Sequence, residues 1–286
     1  MGSIYPFLRK IGNGPNDAKK RPFHIPAHLD LNLSPLQCAE NIAEYFSMIS
    51  QEYAPINLNN LQPNLQTFLR SHSDEILPVV SQYDIYMKIQ KSKKSHSFVK
   101  GEVSPKLIRA FNVEFSVPAA IIFNNIVKFQ KFPDQWKVEH GVPIPKSSTP
   151  PDSLDDLRII SKTHFLSKIF ESFIVDWLFP HISPFLDSAQ YGGLKGLSTV
   201  HYLIQLLDFT HSVLDRKQPH AVIAALIDLS KAFNRVDHNI LIEDLYSMKC
   251  PSWLLRLIVS YLSKRSLIVN FKGCSASPKL NPLCRK

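Results

Sequence analysis

The sequence predicts an α+β fold, because helix-like and strand-like patterns of apolar residues alternate along its second half. Apolar side chains recur at helical spacing over residues 165–177 and again over 200–213. Two shorter apolar runs that contain β-branched residues, 221–229 and 266–271, are typical of strands, and the first has the composition of a buried strand. A chain of 286 residues is also long enough to bury a sizeable core.

The first quarter of the chain is predicted to be a lead-in segment, mostly helical or irregular, over residues 1–75. Its clearest helical pattern covers residues 36–49 and follows the start signal Ser34-Pro35. Residues 76–286 are predicted to form the second domain.

The helices of the second half have recognisable start and stop signals. Pro180 is predicted to end the first of them, because proline cannot donate the backbone hydrogen bond of a helix interior. Four helices are predicted in the second half of the chain. The residues predicted to start them, in chain order, are Thr163, Ser198, Asp237 and Pro251.

Positive charge is in excess and is concentrated in two places. The chain has 33 basic and 24 acidic residues, which gives a net charge of +9 and favours polyanionic partners. Residues 88–109 contain seven basic residues and one acid, and eight basic residues with no acid follow from Lys249 to the end. The first cluster is either a solvated helix face followed by a loop or a surface that binds a nucleic-acid backbone.

Membrane and disulfide architectures are not indicated. The longest apolar run, 221–227, is far shorter than the roughly 20 residues of a membrane-spanning helix. No signal peptide is recognisable, and the four cysteines lack paired C-x-x-C spacing. We therefore expect no membrane partner and an intracellular location, in the cytoplasm or the nucleus. The oligomeric state is left open.

Asp228 is the most unusual polar residue of the second half. It closes the apolar run 221–227, where an ionised carboxylate would need a partner or a metal ion. It could bind Mg²⁺, whose oxygen ligands often include one or two carboxylates and substrate phosphates. It could equally cap the turn that follows.

The residues around Asp228 carry a family resemblance. Residues 227–238 read IDLSKAFNRVDH, and this string resembles the first catalytic motif of reverse transcriptases from non-LTR, LINE-like retrotransposons. Four upstream motifs follow the order of that family: PIPK at 143–146, LRIIS at 157–161, KIFE at 168–171 and QYGGLKGLST at 190–199. With SYLSKR at 260–265 and the segment 269–273, the resemblance covers about residues 76–278.

The resemblance implies a right-hand polymerase with fingers and an incomplete palm. RNA would template DNA synthesis by two-metal phosphoryl transfer, so the implied partners are an RNA template, a DNA primer and dNTP, with two Mg²⁺ ions as cofactors. Asp228 would be a ligand of both ions, and the Leu229 carbonyl a further ligand.

Other residues take implied roles in nucleotide and template binding. Lys146 and Arg158 match the finger cations that neutralise the triphosphate. Phe233 matches the aromatic residue that excludes a 2′-hydroxyl, and Gln190 and Gly192 match a segment along the template and the nucleotide pocket. Each residue also has a structural alternative, as a surface cation, a core ring or a turn residue.

Two departures from the family qualify these expectations. Ile159 replaces the family's usual proline and Asn234 its usual aspartate. The sequence after Pro278 departs from the segment that leads to the family's Asp-Asp motif, so we expect a truncated chain that is inactive alone. One alternative is a non-catalytic, nucleic-acid-binding remnant of a retroelement. The other is a decayed copy that does not fold stably.

Overall fold

The computed structural model describes residues 33–50, 53–71, 75–92, 99, 101–147, 151, 153–218, 220–229 and 232–278. The chain divides into two compact units. The first consists of the described parts of Met1–Tyr45, His140–Ser161 and Ile268–Lys286, and the second of those of Phe46–Glu139 and Lys162–Leu267. The sequence-based boundary at residue 75 stays a prediction.

The described residues form nine α-helices and one four-stranded sheet, in agreement with a mixed α and β class. The helices are α1 Pro35–Ser50, α2 Pro63–Arg70, α3 Gln82–Lys91, α4 Pro105–Ala110, α5 Asn112–Phe129, α6 Phe165–Ile182, α7 Thr199–Leu214, α8 His238–Ser247 and α9 Ser252–Leu262. The strands are β1 Val138–Pro145, β2 Leu157–Lys162, β3 Ser266–Phe271 and β4 Cys274–Ala276, in the order β2-β1-β3-β4.

Strands β3 and β4 form a tight antiparallel hairpin in the first unit. Val269 lies opposite Ala276, and Phe271 lies opposite Cys274. The two turn residues between the strands, Lys272 and Gly273, have φ of 44° and 85°. Positive φ at both central positions is the geometry that matches the right-handed twist of paired strands. The predicted strand over 266–271 is therefore confirmed.

Helix α1 confirms the helix predicted after Ser34-Pro35. The Gln37 N–H donates to Ser34 Oγ at 3.3 Å, and the Ser34 N–H donates to Gln37 Oε1 at 2.9 Å. This reciprocal capping satisfies backbone donors that a helix start would otherwise leave unpaired. The buried side chains of α1 that fall in the first unit share one face of the helix: Cys38, Ala39, Ile42 and Ala43.

An aromatic core holds the second unit together. The rings of Phe123 on α5 and Phe170 on α6 have centroids 5.0 Å apart, and both side chains are fully buried. Phe132 packs edge-on against Tyr261 of α9 at 4.9 Å, and Trp177 of α6 packs against Trp253 at 5.5 Å. Edge-to-face and tilted contacts of this kind stabilise a core beyond the area they bury.

Helix α6 begins and ends differently from the prediction. Its N-cap residue is His164, not Thr163, and the carboxylate of Glu102 accepts a hydrogen bond from the Phe165 N–H. A negative charge is favourable at a helix N-terminus. Pro180 lies inside the helix, which continues to Ile182. A proline this close to a helix end removes one backbone bond and leaves the remaining turns intact.

Two other start signals are confirmed. The Asp237 carboxylate accepts hydrogen bonds from the Asn239 N–H at 2.8 Å and the Ile240 N–H at 3.4 Å. Ser198 is the N-cap residue of α7, although its side chain does not make the capping bond.

Helix α9 begins at Ser252, one residue after the predicted Pro251, which is its N-cap residue, and the side-chain acceptor at its start is a distant carboxylate. Glu75 accepts from the Ser252 N–H at 2.9 Å, the Ser252 hydroxyl at 2.8 Å and the Trp253 N–H at 3.0 Å. The Glu75 carboxylate therefore satisfies three donors at the start of α9. Its negative charge also lies at the positive end of the helix dipole, which is a favourable position.

The prediction of a buried strand over 221–229 is wrong. The segment has no regular secondary structure, and Ile223, Leu226 and Ile227 are 92%, 95% and 89% exposed. A strand requires a neighbour that accepts and donates its backbone hydrogen bonds. None of the four strands in the described residues pairs with this segment.

Helix α7 is confirmed as a helix, but its apolar stripe is not covered. None of its residues is buried, and Val200, Leu203 and Leu207 are 59%, 51% and 57% exposed. Periodicity determines which side chains share a helix face, whereas burial depends on what packs against that face. Among the described helices, none combines the length and apolarity that crossing a membrane requires.

Candidate functional site

Lys146 and Arg158 lie close together in the first unit. Lys146 directly follows β1, and Arg158 is the second residue of β2. The Lys146 N–H donates to the Asp156 carbonyl at 2.7 Å, which closes the connection between the two strands. Both cationic side chains are exposed. The strand pairing therefore holds two cations where phosphate oxygens could reach them.

Asp228 and Leu229 lie in the second unit, in the exposed segment after α7. The expectation that Asp228 needs a partner because it is buried is wrong, since the residue is exposed and water can hydrate its carboxylate. Among the described residues there is no group of three His, Cys, Asp or Glu side chains that could hold a metal ion. The role of Asp228 and the Leu229 carbonyl as metal ligands stays a prediction.

The predicted nucleotide aromatic, Phe233, lies in a short turn of 3₁₀-helix over Ala232–Arg235. Its side chain is outside the described part of the chain, as are residues 230 and 231. Its contact with the sugar of a nucleotide stays a prediction.

Gln190 and Gly192 lie in an exposed loop that precedes α7. The Gln190 side-chain amide donates to the Gly192 carbonyl at 2.8 Å. Gly193 and Gly196 have φ of 78° and 86°, a left-handed conformation that residues with a Cβ rarely adopt. Glycine is therefore required by the path of this loop at those two positions.

The sequence did not reveal what fixes this loop to α7. The Tyr191 hydroxyl donates to Gln205 Oε1, and the Tyr191 ring lies 5.8 Å from the ring of Tyr202. Ser198 Oγ lies 2.9 Å from Nδ1 of His201. Tyr202 and Gln205 are three residues apart on a helix, so their common face was the available signal.

The described site residues therefore fall into two groups. Lys146 and Arg158 belong to the first unit. Gln190, Gly192 and Asp228 belong to the second.

The predicted C-terminal basic cluster is divided between structural and exposed residues. Arg256 donates to Gln130 Oε1 at 2.8 Å and to the Ser71 carbonyl at 2.8 Å. Arg265 donates to Glu139 Oε1 at 3.0 Å through Nε and lies over the Tyr261 ring. The remaining described cations of the cluster are exposed and have positive φ: Lys249, Lys264 and Lys272.

Residues 88–109 also include cations with structural partners. Lys88 Nζ lies 2.6 Å from an Asp176 carboxylate oxygen and 4.3 Å from the centroid of the Phe173 ring. Arg109 donates to Ser92 Oγ at 3.2 Å. Of the other cations, Lys93, Lys94 and Lys100 lie outside the described residues. At Lys88 and Arg109 the positive charge therefore has a role within the fold.

Residues 144–281 match the family model described as “Reverse transcriptase (RNA-dependent DNA polymerase)”. This segment is therefore homologous to reverse transcriptases, and the resemblance inferred from the ordered motifs is confirmed.

The curated relatives are proteins of mobile elements from Drosophila melanogaster. One, “Probable RNA-directed DNA polymerase from transposon BS”, is 30% identical over 175 residues, which are 60% of this chain and 19% of the relative. Another, “RNA-directed DNA polymerase from mobile element jockey”, is 28% identical over 164 residues, or 56% of this chain and 17% of the relative. The chain thus aligns with about a fifth or less of the length of these relatives.

Proposed function

We propose that this chain takes part in RNA-directed DNA synthesis as a portion of the polymerase domain of a mobile element. The match of residues 144–281 to the reverse transcriptase family supports this function most strongly. The order of the sequence motifs on both sides of Asp228 supports it as well. In this proposal the chain provides fingers and the first part of a palm, and its partners are an RNA template, a DNA primer and dNTP.

Lys146 and Arg158 are proposed to bind the triphosphate of the incoming nucleotide. Their exposure, and the backbone bond from Lys146 to Asp156 between their strands, support this role. Arg158 offers a planar fork that can make two parallel hydrogen bonds to phosphate, whereas Lys146 acts as a compact charge. Loss of either cation should weaken triphosphate binding.

Gln190, Gly192 and Phe233 are proposed to contact the template and the nucleotide sugar. The bond from Gln190 to Gly192 and the attachment of Tyr191 to Gln205 restrain the loop, which supports a positioning role. Phe233 would exclude a 2′-hydroxyl by direct contact and so select dNTP.

Asp228 is proposed to be one ligand of a divalent metal ion. Two-metal phosphoryl transfer requires ligands that clamp both ions, and one carboxylate with the Leu229 carbonyl does not supply them. We therefore propose that the residues described in this chain bind substrate without forming the complete catalytic centre. Mg²⁺ is the ion expected there.

The first experiment measures nucleotide and hybrid binding. Fluorescence anisotropy with a labelled RNA–DNA primer–template, titrated with dNTP, should show weaker dNTP binding for Lys146→Ala and Arg158→Ala. Lys131→Ala, an exposed cation outside residues 88–109, is the matched control and should bind dNTP as the wild type does. Equal dNTP affinity in all four proteins would contradict the assignment of the two cations.

The second experiment measures primer extension on an RNA template with Mg²⁺ or Mn²⁺. We expect no synthesis above background from this chain. Asp208→Asn, which changes an exposed carboxylate on α7, is the control for Asp228→Asn. Synthesis that Asp228→Asn abolishes and Asp208→Asn preserves would show that the chain holds a complete catalytic centre and would overturn the expectation of inactivity.

A non-catalytic nucleic-acid binder is the second candidate function. The exposed lysines Lys249, Lys264 and Lys272 favour it, because exposed cations bind phosphates without base specificity. If this function is correct, the affinity of the chain for the RNA–DNA primer–template should fall steeply as the salt concentration rises. Adding dNTP should not change that affinity. A weak salt dependence would argue against it.

A further inference from the structure

Tyr45 connects helix α1 to the turn between strands β1 and β2. Its hydroxyl donates to Asp155 Oδ1, and the two residues are 110 positions apart along the chain. Asp155 lies in the short 3₁₀ turn Leu154–Asp156, and both bonded residues belong to the first unit. The helix that carries Tyr45 buries Ile42 and Ala43. The turn is therefore attached to a helix that is itself held by packing.

The same turn determines the backbone positions of Lys146 and Arg158. The Ser153 N–H donates to Asp156 Oδ2 at 3.0 Å, and the Asp156 N–H donates to the Ser153 carbonyl at 3.2 Å. The Asp156 carbonyl accepts from the Lys146 N–H at 2.7 Å, and Arg158 is two residues further along the chain. Asp155 lies within this bonded turn, so a movement of its backbone would displace both cations.

We propose that Tyr45 is a positioning residue for the triphosphate site formed by Lys146 and Arg158. This inference rests on the proposed function, because it requires that these two cations bind the triphosphate. Tyr45 acts through the Asp155 turn and does not contact the nucleotide. A turn that is already held in place loses less conformational entropy when both cations engage one ligand, so binding is tighter.

The chemistry of the contact separates the hydrogen bond from the charge of Asp155. A hydroxyl that donates to a carboxylate makes a charge-assisted bond, which is stronger than one between neutral groups. Asparagine at position 155 would retain an oxygen acceptor without the charge, whereas alanine would lose both. The negative charge by itself would repel a triphosphate. Comparing the two replacements therefore isolates the contribution of the acceptor.

Titration of dNTP into the labelled primer–template complex, followed by fluorescence anisotropy, tests the role of the hydroxyl. Tyr45→Phe should weaken dNTP binding about two- to tenfold, the range expected for one hydrogen bond. Its affinity for the primer–template without dNTP should equal that of the wild type. Tyr83→Phe, at a tyrosine that is 67% exposed, is the control and should leave both affinities unchanged. Circular dichroism should show that both variants are folded at the assay temperature.

Variants of Asp155 test whether the hydroxyl acts through this acceptor. Asp155→Asn should bind dNTP at least as tightly as the wild type, and Asp155→Ala should bind it about two- to tenfold more weakly than Asp155→Asn. Adding Tyr45→Phe should weaken binding in the Asp155→Asn protein and leave it unchanged in the Asp155→Ala protein, because only asparagine can accept from the hydroxyl. A role limited to stability would change thermal melting without this dependence on residue 155.

Three results would overturn the positioning role while Lys146→Ala and Arg158→Ala still weaken dNTP binding. The first is an unchanged dNTP affinity in Tyr45→Phe. The second is equal dNTP affinity in Asp155→Asn and Asp155→Ala. The third is a loss of primer–template affinity in Tyr45→Phe as large as its loss of dNTP affinity. If Lys146→Ala and Arg158→Ala also bind dNTP as the wild type does, the proposed function of the two cations fails and the positioning role fails with it.

Discussion

Replacing Arg256 by alanine tests whether the C-terminal cations serve the fold or bind nucleic acid. The Arg256 guanidinium makes three hydrogen bonds, to Gln130 Oε1 at 2.8 Å, to the Ser71 carbonyl at 2.8 Å and to the Leu69 carbonyl at 3.4 Å. A hydrogen bond from a charged donor contributes about 1.5–3 kcal/mol. One of the three is long and the side chain is partly exposed, so we expect Arg256→Ala to lower the unfolding free energy by about 2 kcal/mol.

Urea unfolding followed by tryptophan fluorescence measures this loss. All three tryptophans, Trp136, Trp177 and Trp253, belong to the second unit, so their emission reports on the unit that contains Arg256. With a slope near 2 kcal/mol per molar urea, the midpoint should fall by about 1 M. Lys264→Ala is the control and should leave the midpoint within about 0.3 M of the wild type, because exposed cations contribute little to stability.

The salt dependence of binding to an RNA–DNA hybrid should rank the two variants in the opposite order. Lys264→Ala should reduce the salt dependence of hybrid binding by up to about one unit of slope, as expected for one lost phosphate contact, whereas Arg256→Ala should leave that slope unchanged. An unchanged urea midpoint for Arg256→Ala together with a reduced salt slope would refute the structural role.

Three further predictions concern the second unit, each measured by urea unfolding. Phe132→Ala should cost about 3–5 kcal/mol, because it empties a fully buried position of the aromatic core, whereas Phe129→Ala, at a ring that is 66% exposed, should cost less than about 1 kcal/mol. Glu75→Ala should cost about 1–2 kcal/mol through loss of the acceptors at the start of α9. Burial lowers the pKa of His238 below its ordinary value near 6.5. As the pH falls, His238 therefore takes up a proton at a higher pH in the unfolded chain than in the folded protein. Stability should therefore decrease as the pH falls through about 6.5 towards the folded-state pKa, and His238→Gln should lose less stability over that range.

Each of these predictions has a contradicting result. Equal losses for Phe132→Ala and Phe129→Ala would show that the aromatic core is not closely packed. An unchanged midpoint for Glu75→Ala would show that water replaces its carboxylate at no cost. The same pH dependence of stability in His238→Gln and the wild type would show that other groups account for the loss of stability at low pH.

Helix positions were predictable from the sequence where their signals are local. Asp237 caps a helix through backbone donors two and three residues away, and Ser34 does so through Gln37, so the short range of these contacts makes them visible in the sequence. The cap of α6 was not predictable in the same way. Glu102, which accepts from Phe165, is 63 residues away along the chain.

Candidate site residues and an order of motifs were available from the sequence. The family match over 144–281 confirms the resemblance on which their roles were based. The roles of all the candidate site residues stay predictions: Lys146, Arg158, Gln190, Gly192, Asp228, Leu229 and Phe233. The structure adds the exposure of Lys146 and Arg158 and the attachment of the Tyr191 loop to α7.

By itself, the sequence indicated five of the nine helices of the described residues, the apolar side chains that share a helix face, and the resemblance to reverse transcriptases. Only the tertiary structure decided which apolar faces are covered and which cations are used within the fold. The segment 221–229 has the composition of a buried strand and yet is exposed, because a strand is stable only with a paired neighbour. Arg256 and Lys264 carry the same charge, but only Arg256 lies within reach of carbonyl and amide oxygens from distant parts of the chain.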